Sequence, residues 1–198
     1  MSPESAVRRY EEPEHAFTDG EMAEFVDDFR HRFKKAMIQA AARNRDNAHS
    51  HRPKPFKVGC TMMTIDGGNL PGDYSVYSAY NFTPDATKRR GWEKTCAESN
   101  AMWAALEHGA SLIVAIVTVS KELSTGDDSK AHDALHPCRD CRDKIRQLLG
   151  MGILRKDSIV LNVNDSDNSE DELMVHKWAE EERTVEQLLE LYKDDEVA

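Results

Sequence analysis

Two short segments, Cys96-Ala97-Glu98 and Pro137-Cys138-Arg139-Asp140-Cys141, constrain this chain more than anything else in it. Each follows a loop and opens a helix predicted from the sequence. Two cysteines separated by two residues at a helix start can turn both sulfurs toward one ion. A third thiolate from a second helix start completes three protein ligands. Catalytic zinc keeps its fourth position for water, whereas structural zinc closes its shell with a fourth residue. The fold has to bring two helix N-termini together, and their positive dipole ends favour the deprotonated thiolates that bind metal. Three thiolates around a divalent cation leave a surplus negative charge. Arg142, directly after the last cysteine, could offset it by hydrogen bonding to a sulfur. Glu98 is not needed as a ligand. Alone it reads as an acidic first-turn residue; beside both cysteine segments it reads as a carboxylate that takes a proton from zinc-bound water and passes it on.

The remaining cysteine, Cys60, lies outside this pattern and reads as a small buried hydrophobe. Disulfides are not expected, because the start Met1-Ser-Pro-Glu lacks the basic region and apolar core of an export signal. No apolar run approaches the roughly 18 residues of a membrane span, so a cytoplasmic location is the expectation. The length of 198 residues suits one globular domain with a substantial core. A formal net charge of −10 argues against a broad nucleic-acid footprint, which needs clustered Lys and Arg. The compact basic clusters are 30–35, 51–57 and 88–90, each of which also reads as a solvated face or loop.

Residues 1–20 are polar, carry two prolines and read as an extension; 21–198 read as one domain. Met22, Phe25, Val26, Phe29, Phe33, Met37 and Ala40 recur at steps of three and four, predicting an amphipathic helix. Strands are predicted over 56–65 and 74–82, forming an antiparallel hairpin. A helix over 96–108, dense in alanine, precedes the unbroken apolar run 112–119 of a central strand. A helix over 138–149 and a strand over 158–163 follow. A short last strand at 173–178 and a helix over 184–192 end the pattern. Trp103 and Trp178 read as packing residues. The order of elements predicts a three-layer α/β/α sandwich around a mixed five-stranded sheet.

Cys-Ala-Glu followed by Pro-Cys-x-x-Cys resembles the cytidine deaminase superfamily, whose signature is H-x-E with P-C-x-x-C, or three cysteines. The similarity covers most of the chain from Glu21 onward. It implies a zinc-dependent hydrolytic deaminase in which Cys96, Cys138 and Cys141 hold Zn2+ and Glu98 is the catalytic proton shuttle. Glu98 would deliver the proton to the ring nitrogen and assist ammonia departure. The resemblance also implies substrate contacts from Phe56 (a base-pocket wall or a core residue), from Asn81, and from the backbone around Thr95 and Ala97. A homodimer or homotetramer is implied as well.

Cysteine as first ligand, Arg142, and Phe56-Lys57-Val58-Gly59 resemble the branch acting on free nucleosides. The family's N-x-E at the end of the second strand is Asn81-Phe82-Thr83 here, so the carboxylate that binds ribose is missing. The stretch 84–95, with Arg89, Arg90 and Trp92, is long and reads as a lid, a substrate wall or a surface loop. Arg139-Asp140 between the last cysteines resembles the polynucleotide and nucleotide branches. The expected substrate is a cytidine-like nucleoside, a modified cytosine compound such as an antibiotic of the blasticidin type, or a related aminated ring. The alternatives are a single-stranded nucleic-acid cytosine deaminase and a non-catalytic zinc-binding protein on the same scaffold.

Overall fold

The computed structural model describes residues 17–50, 57–66, 74–83, 96–121, 136–165 and 178–193. Phe56, Thr95, the stretch 84–95 and residues 1–16 lie outside the described residues. The first helix, α1 (Asp19–Asp28), starts ahead of the apolar stripe because a capping box fixes it. The Thr18 hydroxyl accepts from the Glu21 N–H at 3.2 Å, and the Glu21 carboxylate accepts from the Thr18 N–H at 2.7 Å. Part of the polar stretch read as an extension is therefore in the first turn of the fold.

One π turn, Phe29–Phe33, joins α1 to α2 (Lys34–Asp46). Such a turn inserts an extra residue and rephases the helix. Met22 and Phe25 are buried before it and Phe29 at its start; Met37, Ile38 and Ala41 are buried after it. Ala40, the last residue of the predicted stripe, is displaced to the margin of the core.

The main sheet has the order β3-β2-β5-β6-β7, with β2 (Lys57–Asp66), β3 (Ser75–Tyr80), β5 (Ala110–Lys121), β6 (Leu154–Asp165) and β7 (Trp178–Thr184). Only the β5–β6 pair is parallel. A two-residue parallel ladder joins β1 (His49–Ser50) to β4 (Phe82–Thr83). The last strand also differs from expectation, running over 178–184. Trp-Ala-Glu-Glu-Glu-Arg-Thr shows no apolar alternation, since it is an edge strand with charge on both faces. Lys34 pairs with Glu180 at 2.6 Å and Arg30 with Glu182 at 2.8 Å on one face; Glu181 meets His136 on the other.

Period-two alternation divides the sheet between two cores. Met63, Ile65, Val117, Leu161 and Val163 pack against α1 and α2. Val58, Cys60, Met62, Ile116 and Val160 face α3 (Ala97–Glu107), α4 (Arg139–Gly150) and α5 (Val185–Glu190). The predicted three-layer sandwich around a mixed five-stranded sheet is what forms. The alanines Ala97, Ala101 and Ala105 have no exposed surface and let α3 lie close on the sheet. Trp103, on the outer side of the same helix, is 64% exposed and does not pack in this chain's core. The Trp178 side chain lies outside what is described. No helix among the described residues is long and apolar enough to cross a membrane.

Gly59 fixes the approach of α2 to β2. A Cβ there would stand 1.9 Å from the Ala41 carbonyl oxygen and 2.4 Å from the Arg45 nitrogen, both backbone atoms that cannot rotate away. Gly59→Ala therefore forces the helix off the sheet. The expected loss is about 3 kcal/mol in urea unfolding, at the upper end for overpacking by one methyl.

Candidate metal centre and active site

Cys96 and Cys138 are the N-cap residues of α3 and α4, both extended, with φ/ψ of −80°/152° and −64°/167°. Neither side chain caps its own helix, so both sulfurs are directed elsewhere. The Cys96 and Cys138 sulfurs stand 3.4 Å apart, and those of Cys138 and Cys141 3.5 Å. All three lie within 4.8 Å of one another, and none is in a disulfide. A tetrahedral ion at about 2.3 Å from each thiolate needs sulfurs about 3.8 Å apart. The cluster is within a few tenths of an ångström of that, so the donor set fits a metal ion.

The Cys138 and Cys141 thiols are held in their protonated form more strongly than free cysteine. Hydrogen bonding to Cys96, burial and the Glu98 charge push Cys141 far up; burial is the main cause of the rise at Cys138. A divalent cation would reverse this by taking up the charge of all three thiolates.

Glu98 lies in the first turn of α3 and is only 5% exposed. Its carboxylate is close enough to raise the Cys141 thiol, and it acts on Cys60 as well. Burial first, and then this charge, hold Cys60 well above the ordinary thiol range, so Cys60 is a neutral apolar residue of the sheet floor. A buried carboxylate near a sulfur cluster is costly as a mere helix-start residue. It is well placed as a proton acceptor.

Two residues of this site carry no signal that sequence reading used. Ser99 Oγ lies 3.6 Å from Cys141 Sγ, opposing the rise of that thiol, and accepts from Lys144 Nζ at 2.7 Å. Asn100 donates its amide to the Tyr80 carbonyl at 2.9 Å and ties α3 to the end of β3. A serine and an asparagine inside a helix look like ordinary polar positions until the facing sulfur and carbonyl are known.

Of the residues expected to contact substrate, Asn81 is buried at the end of β3, with its backbone donating to the Val58 carbonyl at 3.0 Å. Its side-chain oxygen accepts from the Val58 N–H at 2.8 Å, so it pins the start of β2. Ala97 is fully buried as the first residue of α3. Arg142 is buried and donates to the Pro137 carbonyl at 2.9 Å, bracing the turn that carries Cys138. Its guanidinium also lies 3.8 Å from the centre of the Tyr192 ring, a cation–π contact that holds the C-terminal segment against α4.

No family model and no curated protein matches the sequence. Among solved structures, a cytidine deaminase from Burkholderia pseudomallei is similar with a TM-score of 0.51 and 22% identity, covering 78% of this chain and 94% of that one. A variant cytidine deaminase from Mycobacterium tuberculosis gives 0.48 and 18%, over 79% and 91% of the two chains. One from Mycobacterium leprae gives 0.46 and 20%, over 79% and 97%. With the layer order, the strand order and the cysteine cluster at two helix starts, the first of these likenesses shows that the chain has the cytidine deaminase fold.

Proposed function

We propose that this protein is a zinc-dependent hydrolytic deaminase acting on a cytidine-like nucleoside, a modified cytosine compound or a related aminated ring. The observation that carries the reading is the buried Glu98 carboxylate beside three convergent sulfurs. Zinc is the ion best suited to three thiolates and an open fourth position. When bound it would supply Lewis acidity that makes water a nucleophile at neutral pH.

The work of the chain's own residues follows from placement. Glu98 accepts one proton of the attacking water and delivers it to the ring nitrogen next to the aminated carbon. The water oxygen bonds to that carbon, whose C–N double bond becomes single. Glu98 then takes the proton remaining on the new hydroxyl and gives it to the amino group. The C–N bond to that group breaks, ammonia leaves, and a carbonyl remains. One water is consumed and no redox partner is needed. Burial suits Glu98 to this cycle, because it shields the shuttled proton from bulk water.

A small-molecule substrate is favoured over a polynucleotide by the position of the basic residues. The segment 30–35 belongs to the α1–α2 layer, across the sheet from α3 and α4. Arg30, Arg32 and Lys34 are paired with Glu182, Asp28 and Glu180. They do not form one basic surface with the sulfur cluster. The segments 51–56 and 88–90 lie outside the described residues.

Titration with cobalt(II) tests the metal centre. One equivalent should give the absorption of a tetrahedral thiolate site, and Cys141→Ser should abolish it. Metal binding must displace protons from thiols whose pKa is raised, so affinity should fall as pH is lowered and rise as pH is increased.

Ammonia release by the zinc-loaded protein tests the reaction, using cytidine, deoxycytidine, their monophosphates, cytosine, blasticidin S and single-stranded DNA. Turnover of a small compound is the expected result, with a loss of about 10²–10⁴-fold in Glu98→Gln at unchanged zinc content. Reaction with DNA alone would favour the polynucleotide reading, and silence across the panel with zinc bound would leave the non-catalytic one.

A further inference from the structure

Beyond the sulfur cluster, the sheet face under α3, α4 and α5 contains a polar row beside the apolar row of Met62, Ile116 and Val160. Cross-strand register places Cys60 beside Thr118, Thr118 beside Asn162, and Asn162 beside Glu181. Asn162 has no exposed surface and Thr118 is 1% exposed. The Asn162 side chain brings two donors and an acceptor oxygen. Among the described residues neither its nitrogen nor its oxygen has a hydrogen-bond partner, and the Thr118 hydroxyl finds no nitrogen or oxygen partner either. The next position along the row does not serve them: Glu181 is held by His136 and by Arg183. His136 also bonds the Tyr192 hydroxyl, and Tyr192 lies under the Arg142 guanidinium that braces the Pro137–Cys138 turn.

An amide fully withdrawn from water and left unbonded is among the costlier defects a core can carry. Water is the ligand that matches it, since one molecule both donates and accepts and is commonly bound at such positions. We propose that Thr118 and Asn162 form a binding site for ordered water on the sheet floor, bounded on the β7 side by Glu181 with its partner His136. The bound water completes the hydrogen bonds of the row. It thereby holds the floor on which the His136–Tyr192–Arg142 brace of the ligand turn rests.

A crystal structure of the unmodified, zinc-loaded protein, at a resolution that orders solvent, tests this directly. The expected result is water bonded to the Asn162 amide and to Thr118 Oγ1. An Asn162 amide bonded to protein side chains instead, or a dry row, overturns the proposal. Asn162→Leu provides a readout independent of crystals and of any enzymatic activity. If water satisfies the row, the substitution breaks a complete network and lowers Tm by about 2–6 °C. An unchanged or higher Tm, as expected on removing an unsatisfied amide, overturns it.

Discussion

Everything at the site depends on β5 and β6 lying side by side and parallel. A strand can reach a parallel neighbour only through a crossover, and here α4 is that crossover. Its first residue must then emerge at the end of the sheet where β5 finishes. On the other side, α3 enters β5 through a tight turn at His108 and Gly109, where the glycine takes φ +84°. The helix therefore runs back along the strand, and its own start falls at the same end. Two helix N-termini are thus delivered to one place by connectivity. The N-cap conformations of Cys96 and Cys138 then leave their sulfurs facing each other rather than their helices.

This convergence concentrates opposing demands. Packing three sulfurs and one carboxylate in a small, mostly buried volume raises the thiols, and the helix ends alone do not reverse that. A divalent cation would satisfy the sulfurs, and under the proposed function Glu98 is left to handle the proton. Arg142 serves the arrangement through the backbone of Pro137 and through Tyr192, a link that the sequence could not reveal because the residues lie far apart. The cluster is thereby tied to the last described segment of the chain as well as to its own two helices.

The cysteine cluster and the layer order are legible in the sequence because they rest on local signals. Cys-x-x-Cys spacing, alanine-rich α3 and the apolar run of β5 each report their environment within a dozen residues. The failures have equally local causes. The π turn moved the buried face from Ala40 toward Ile38 and Ala41, which no uniform helical period anticipates. Trp103 was read as core from its chemistry, yet its position on α3 faces outward. Strand β7 runs over 178–184 where the sequence predicts 173–178, because its charges serve partners on two layers instead of an apolar face.

That charged strand has a consequence for how copies of the chain can meet. β7 is the terminal strand of the sheet, so its outer backbone groups have no ladder partner within the order β3-β2-β5-β6-β7. An open edge is a template on which a foreign strand can grow. Three consecutive glutamates, Glu180, Glu181 and Glu182, line this one and point to alternate faces. A strand arriving there would have to approach carboxylates already committed to Lys34, His136 and Arg30, within a chain of net charge −10. Among the described residues the sheet thus ends at β7 in a strand whose carboxylates oppose the addition of another acidic strand.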